Sequence, residues 1–178
     1  MAHEVKLTAI KTLREQTSMS LADVKRALET AARACSAPSS TDPSCRCEAN
    51  ALKELQKRGA QISEKRQDRA TGQGRVEAYV HHDGRIGVLI DVNCETDFVA
   101  RTPDFTQFCR DVAMHIAAMN PRCVQKDQLP VDATHETCLL DQPFVKDPST
   151  TIQQLLEGLV AKTGERVVIR RFARFMVG

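Results

Sequence analysis

Ile86, Val88, Ile90 and Val92 fall on every second residue of one short run. A period of two gathers all four on one face of a β-strand, where a helix would scatter them. Asp83-Gly84 stands just before the run and is a hairpin-turn dipeptide. Residues 75–80 on the other side of the dipeptide supply a second strand, so 75–80 and 85–92 read as a β-hairpin. The last stretch, 166–177, reads as a closing strand. Helical patterns flank these strands. Thr102-Pro103-Asp104 offers an N-cap, a first-turn proline and a first-turn acid. Phe105, Phe108, Val112, Ile116 and Met119 then form an apolar stripe that Pro121 ends. Ser149 is the expected cap of a final helix with Ile152, Leu155, Leu156 and Leu159 inward, stopped by Gly164. Residues 122–148 show little periodicity and read as mostly loop.

The front of the chain has no strand signal. Leu7, Ile10 and Leu13 predict a helix over 4–16. After Thr17-Ser18, Ser20 caps a second helix with Leu21, Val24 and Leu28 on one face. A third covers about 48–58, with Leu52 and Leu55 inward and Gly59 as its stop. Pro38 and Pro43, set among Ser and Thr between the second and third helices, predict an extended loop over about 34–47. Residues 61–74 are polar, end in Gly72-Gln73-Gly74, and read as a helical or flexible connector. The fold class is α+β: a helical module over 1–60, then a small antiparallel sheet packed with helices over 75–178.

A chain of 178 residues with 42% hydrophobic residues can bury a core. Its net charge of +2 is too small for binding driven by phosphate neutralisation. Residues 1–70 carry 13 Lys/Arg against 9 Asp/Glu, and the excess gathers between Lys53 and Arg69. That run is a solvated helix face or a patch for an acidic partner. With no Trp and one Tyr, base stacking has little to work with, so no direct nucleic-acid partner is expected. The seven cysteines are irregularly spaced, which suits reduced thiols in a cytosolic protein. Cys45 and Cys47 lie one residue apart with Cys35 nearby and no His in the loop, short of a structural zinc pattern; no metal or cofactor is expected. His81-His82 reads as decoration of the hairpin turn. No apolar run is long enough to cross a membrane. The absence of a leader points to the cytoplasm, with an organelle form as the alternative. Gly72-x-Gly74 is no phosphate cradle, no hydrolase or metalloprotease motif occurs, and bond chemistry has little support.

One motif remains. Asn93-Cys94-Glu95-Thr96-Asp97-Phe98-Val99-Ala100-Arg101 closes the hairpin and sets an acid beside a large ring. Two readings stand. In one, Thr96 is an N-cap, Asp97 a first-turn acid and Phe98 a core residue. In the other, Asp97 and Phe98 form an exposed wedge, a ring for a partner's pocket and a carboxylate to disturb charges nearby.

This motif resembles the signature of the elongation factor Ts family. Three more matches follow the family's order: Leu13-Arg14-Glu15-Gln16-Thr17 with Leu21-Ala22-Asp23-Val24-Lys25-Arg26-Ala27-Leu28 and Arg58-Gly59-Ala60; Leu139-Leu140-Asp141-Gln142-Pro143-Phe144-Val145-Lys146-Asp147-Pro148-Ser149; and Gly164-Glu165 with Ile169-Arg170-Arg171-Phe172. The inserted loop departs from the family's tight turn by roughly ten residues, an insertion that chain entropy tolerates. The resemblance implies a ubiquitin-associated-like (UBA-like) module in front and a single core of the family's dimerisation type. It implies an exchange factor for the GTPase elongation factor Tu, pairing into homodimers. It casts Thr96, Asp97, Phe98 and Val99 as the exchange wedge, anchored by Cys94. It gives Leu21, Asp23, Lys25 and Arg26 a grip on the GTPase domain, and Arg170, Arg171 and Phe172 a second contact. The competing class is a binding protein built on the same scaffold without exchange activity.

Overall fold

The structure, a computed structural model, describes residues 7–17, 19–34, 47–125 and 138–178. The Pro/Ser loop with Cys35 and Cys45, and the start of the first helix, lie outside those residues. Helices α1 (Leu7–Thr17), α2 (Leu21–Ala34) and α3 (Cys47–Glu64) come first. Strands β1 (Gln73–Val80) and β2 (Ile86–Cys94) form the hairpin. A one-turn helix α4 (Asp97–Ala100) and the long α5 (Pro103–Met119) follow. A 3-10 turn (Leu139–Asp141), β3 (Pro143–Phe144), β4 (Asp147–Thr151), α6 (Ile152–Thr163) and β5 (Val167–Met176) complete the chain.

Among the described residues, the main sheet is antiparallel in the order β1-β2-β5. Val88, Ile90, Val92 and Cys94 are buried while Leu89 between them is exposed, so the alternation marks the covered face. Phe105, Cys109, Val112 and Ile116 of α5 and Ile152 and Leu159 of α6 close over that face. The other face carries Val76, Val80, Leu89 and Phe175, all exposed. The hairpin connection is a β-turn over 81–84 in which Gly84 N–H donates to the His81 carbonyl at 2.8 Å, and Gly84 takes φ +69°. His81 reaches back to the hydroxyl of Tyr79, its Nδ1 3.1 Å away.

The front helices enclose a second core of Leu13, Met19, Val24, Leu28, Ala51 and Leu55. Ile62 packs against both cores and links them.

Several expectations need correction. Gly59 does not stop α3, which runs five residues further to Glu64. Gly59 faces α6 instead: a Cβ there would meet the backbone oxygen of Glu157 at 3.8 Å, so its small size serves helix packing. Leu7 is exposed and not inward. Three-residue spacing turns each side chain by 300° rather than 360°, so residues six apart drift off one face. Leu21 is exposed as well: it is the first residue of α2 and stands ahead of the buried stripe of Val24, Ala27, Leu28 and Ala31. Met119, in the last turn of α5, is exposed; Asn120 behind it turns left-handed at φ 48° and ends the helix. The cap of α6 is Thr151, not Ser149: Ser149 lies in β4, while Thr151 and Gln154 exchange side chain-to-backbone bonds as a capping box. Thr102 and Gly164 cap as the sequence predicts.

One buried group ties α5 to β3. His115 is fully enclosed, with Nε2 2.9 Å from the side-chain Oε1 of Gln142 and Nδ1 accepting from Val145 N–H at 3.3 Å. An accepting Nδ1 requires a neutral ring, and burial holds the imidazole below its ordinary value near 6.5. The unfolded chain therefore binds this proton more readily. Stability from His115 is complete above about pH 6.5 and is lost as pH falls below it. In denaturant melts across about pH 7.5 to 5, His115→Gln should show a shallower decline than the parent.

Candidate functional site

The motif sits where β2 ends and its partner β5 begins. Gln73 pairs with Cys94 on one side of β2, and Val167 with Cys94 on the other. Cys94 is buried and its thiol donates a hydrogen bond to the Thr96 carbonyl at 3.0 Å. Burial first, and the charge of Glu165 second, push that thiol up, so it stays protonated and acts as packing.

Two carboxylates then latch the turn. Glu165 accepts from Thr96 N–H at 3.0 Å and from the Thr96 hydroxyl at 2.6 Å. Glu95 returns the arrangement, accepting from Arg166 N–H at 2.6 Å and from the Arg69 guanidinium at 3.2 and 3.3 Å. The Arg166 N–H bond, with Arg69 beside it, holds the Glu95 carboxyl below its ordinary value. Each of these adjacent residues pairs with the opposite strand's neighbour, so the exit of β2 and the entry of β5 are fastened twice.

Thr96 also caps α4, its hydroxyl accepting from Val99 N–H at 3.4 Å. Thr102 fastens the far end by donating to the Val99 carbonyl at 2.8 Å. Val99 packs against the core, and Ala100 is buried. Asp97 pairs with Arg101 one turn on, at 3.0 Å. Phe98 points outward and is 80% exposed. Thr96 is the cap and Asp97 the first-turn acid, as the first reading expects, but Phe98 is exposed and not core. The turn is braced at both ends and presents the ring to solvent.

The other candidates lie elsewhere on the fold. Leu21 is 56% exposed at the start of α2, and Lys25 and Arg26 are exposed on the same helix. Asp23 is held by Ser20 at 2.7 Å and by Arg58 at 2.9 Å. Arg170 is the extra residue where the β2–β5 register shifts. Arg171 meets Asp91 at 3.1 Å, and Phe172 packs half-buried on the core. Sequence reasoning assigned no role to Glu165, Glu95, Arg69 or Arg166. The signal was there in the Gly164-Glu165 pair, where Gly164, left-handed at φ 75°, ends α6 and delivers the acid.

The latch yields a prediction. Glu165→Ala leaves the partly buried Thr96 N–H and hydroxyl without that acceptor, which should lower unfolding stability by about 1–3 kcal/mol in a urea titration.

The fold is thus a helical module joined to an α+β core, with a braced turn that presents one ring to solvent. The family model described as Elongation factor TS matches residues 10–136. Elongation factor Ts of Rubrobacter xylanophilus is 43% identical over 199 residues, covering 93% of this chain and 95% of that protein. Elongation factor Ts of Heliobacterium modesticaldum is 36% identical, covering 95% of this chain and 88% of that protein. Elongation factor Ts of Methylacidiphilum infernorum is 35% identical, covering 100% and 98%. The chain belongs to the elongation factor Ts family.

Proposed function

We propose that this chain is a translation elongation factor Ts, a guanine-nucleotide exchange factor that binds elongation factor Tu·GDP and promotes GDP release so that GTP can rebind. Family membership supports the partner and the activity. The observation that carries the mechanism is the exposed Phe98 on its double-latched turn. A GTPase holds its nucleotide through Mg²⁺ and a backbone cradle. An exchange factor weakens GDP only as far as it prefers the nucleotide-free state, and linkage makes the two factors equal. Each tenfold weakening needs about 1.4 kcal/mol of differential binding. Phe98 supplies that preference by entering a pocket that opens between partner helices when the nucleotide leaves. Asp97 perturbs the Mg²⁺ and phosphate surroundings electrostatically and is no metal ligand of this chain. Thr96, Val99 and Cys94 hold the turn rigid. The chain makes or breaks no covalent bond itself.

The front module, residues 1–60, is the UBA-like unit that grips the GTPase domain, through the exposed Leu21, Lys25 and Arg26 and the clamped Asp23. Residues 61–74 connect it to the dimerisation-type core over 75–178, where Arg170, Arg171 and Phe172 make the second contact. A homodimer forms through the open sheet face, whose exposed Val76, Val80, Leu89 and Phe175 make one apolar surface. Sedimentation of the full chain tests this: Leu89→Glu should shift a dimer to monomer. The site of action is the cytosol, and among the described residues no helix is long and apolar enough to cross a membrane.

The deciding experiment is release of a fluorescent GDP analogue from elongation factor Tu, with the wild type and with the Asp97→Ala, Phe98→Ala double variant. Acceleration that fades in the double variant supports the wedge. A folded wild type that leaves release unchanged would mean that the scaffold serves as a binding protein only.

A further inference from the structure

Cys123 and Cys138 are separated by residues 124–137 in sequence, yet their sulfurs lie 3.4 Å apart. The two residues face each other across an isolated parallel bridge. Leu139 N–H donates to the Cys123 carbonyl at 2.9 Å, and Leu140 N–H to the Val124 carbonyl at 3.1 Å. Paired strands run about 4.7–4.9 Å apart. That spacing falls inside the Cα separation of about 4.4–6.8 Å that disulfides span. The backbone already has the required approach, and the sulfurs need only close to about 2.0 Å. The neighbouring Val124 and Leu139 are buried in the main core, so the approach is built into the fold.

We propose that Cys123 and Cys138 are a reversible oxidation site, closed to a disulfide by small-molecule disulfides of the glutathione class. Exposure sets the order of events: Cys123 is 7% exposed and Cys138 is 0%. The Cys123 thiolate attacks the small disulfide, forming a mixed disulfide and releasing one small thiol. The Cys138 thiolate then attacks the Cys123 sulfur and releases the second. Two protein thiols and one small disulfide become one protein disulfide and two small thiols. Two electrons pass to the oxidant with two protons. The new bond fastens the exit of α5 to the segment entering β3, and it closes a loop whose entropy the unfolded chain then lacks.

The test uses the full chain, native, in excess glutathione disulfide, followed by acid quench, alkylation and peptide mapping. The expected result is a crosslinked peptide pairing Cys123 with Cys138. The melting temperature should rise by roughly 5–10 °C, a gain that dithiothreitol reverses. Cys138→Ser should stall with glutathione on Cys123, whereas Cys123→Ser should leave Cys138 unmodified. If the folded wild type keeps both thiols reduced through the incubation, or if Cys138→Ser carries no glutathione at Cys123, the proposal is overturned.

Discussion

Phe98→Ala is expected to slow catalysed GDP release about 10- to 150-fold while leaving the folded protein as stable as its parent, within about 0.5 kcal/mol. The first figure follows from the proposed wedge, in which a partner buries the ring. Burying a Phe side chain is worth about 1.5–3 kcal/mol, and each 1.4 kcal/mol is a factor of ten. The second follows from its present exposure of 80%, which leaves little to lose on truncation. A core ring would behave in the opposite way: Phe105, fully buried seven residues later, should lose about 3–5 kcal/mol on truncation to Ala. Rates of nucleotide release and urea melts on the two variants separate the roles. A Phe98→Ala protein that exchanges normally would sink the wedge. Asp97→Ala should have a smaller effect on stability, since its pair with Arg101 is largely exposed.

How the ring can be both exposed and useful depends on the two latches. An exposed aromatic on a loose turn would lose conformational entropy on docking. Here Thr96 is fixed by Glu165, Glu95 fixes Arg166, and Val99 and Ala100 root the turn in the core. That ordering is already complete in the free protein, so more of the contact energy remains for discriminating between nucleotide states. The same argument predicts that Glu165→Ala weakens exchange beyond what its modest loss of stability explains.

The sequence made the sheet legible because Ile86, Val88, Ile90 and Val92 keep a period of two, broken only by the exposed Leu89. Thr102 and Gly164 were legible for a similar reason, since cap chemistry is local. What failed was whatever depended on a neighbour far along the chain. Gly59 reads as a stop in isolation, and only the approach of α6 makes it a packing residue. Leu7 and Leu21 are exceptions: Leu7 failed for a local reason, the drift of three-residue spacing, and Leu21 stands at the first position of α2, ahead of its buried stripe. Thr151 outcompeted Ser149 because β4 extends to the very start of α6. In the site, Thr96 to Val99 stood out as a motif, whereas Glu165 and Arg69 hold it from 69 and 26 residues away. The Gly164-Glu165 pair marks a helix end locally, but nothing local says which distant turn the acid will reach.

Gly74 gives the second large effect, and Gly72 beside it gives the control. Gly74 pairs across the hairpin with Asn93, the first residue of the motif. A Cβ on Gly74 would stand 2.3 Å from the Val92 carbonyl oxygen and 2.8 Å from the Asn93 Cα. Both atoms are backbone, so no side chain can swing away to make room. The φ of +156° adds strain for any L side chain. Overpacking and backbone strain together should lower the stability of Gly74→Ala by roughly 2–5 kcal/mol. At Gly72 a Cβ would meet nothing within 4 Å, and Gly72→Ala should be neutral or slightly stabilising. Relief of the clash requires β1 to move away from β2 at Asn93, which displaces the base on which Glu95 and Thr96 stand. Gly74→Ala should therefore also lose exchange activity at temperatures where it is still folded, and Gly72→Ala should not. Equal stability of the two variants in a urea titration would show that the hairpin can open at Asn93 without penalty, and that the rigid base proposed for the wedge is not rigid there.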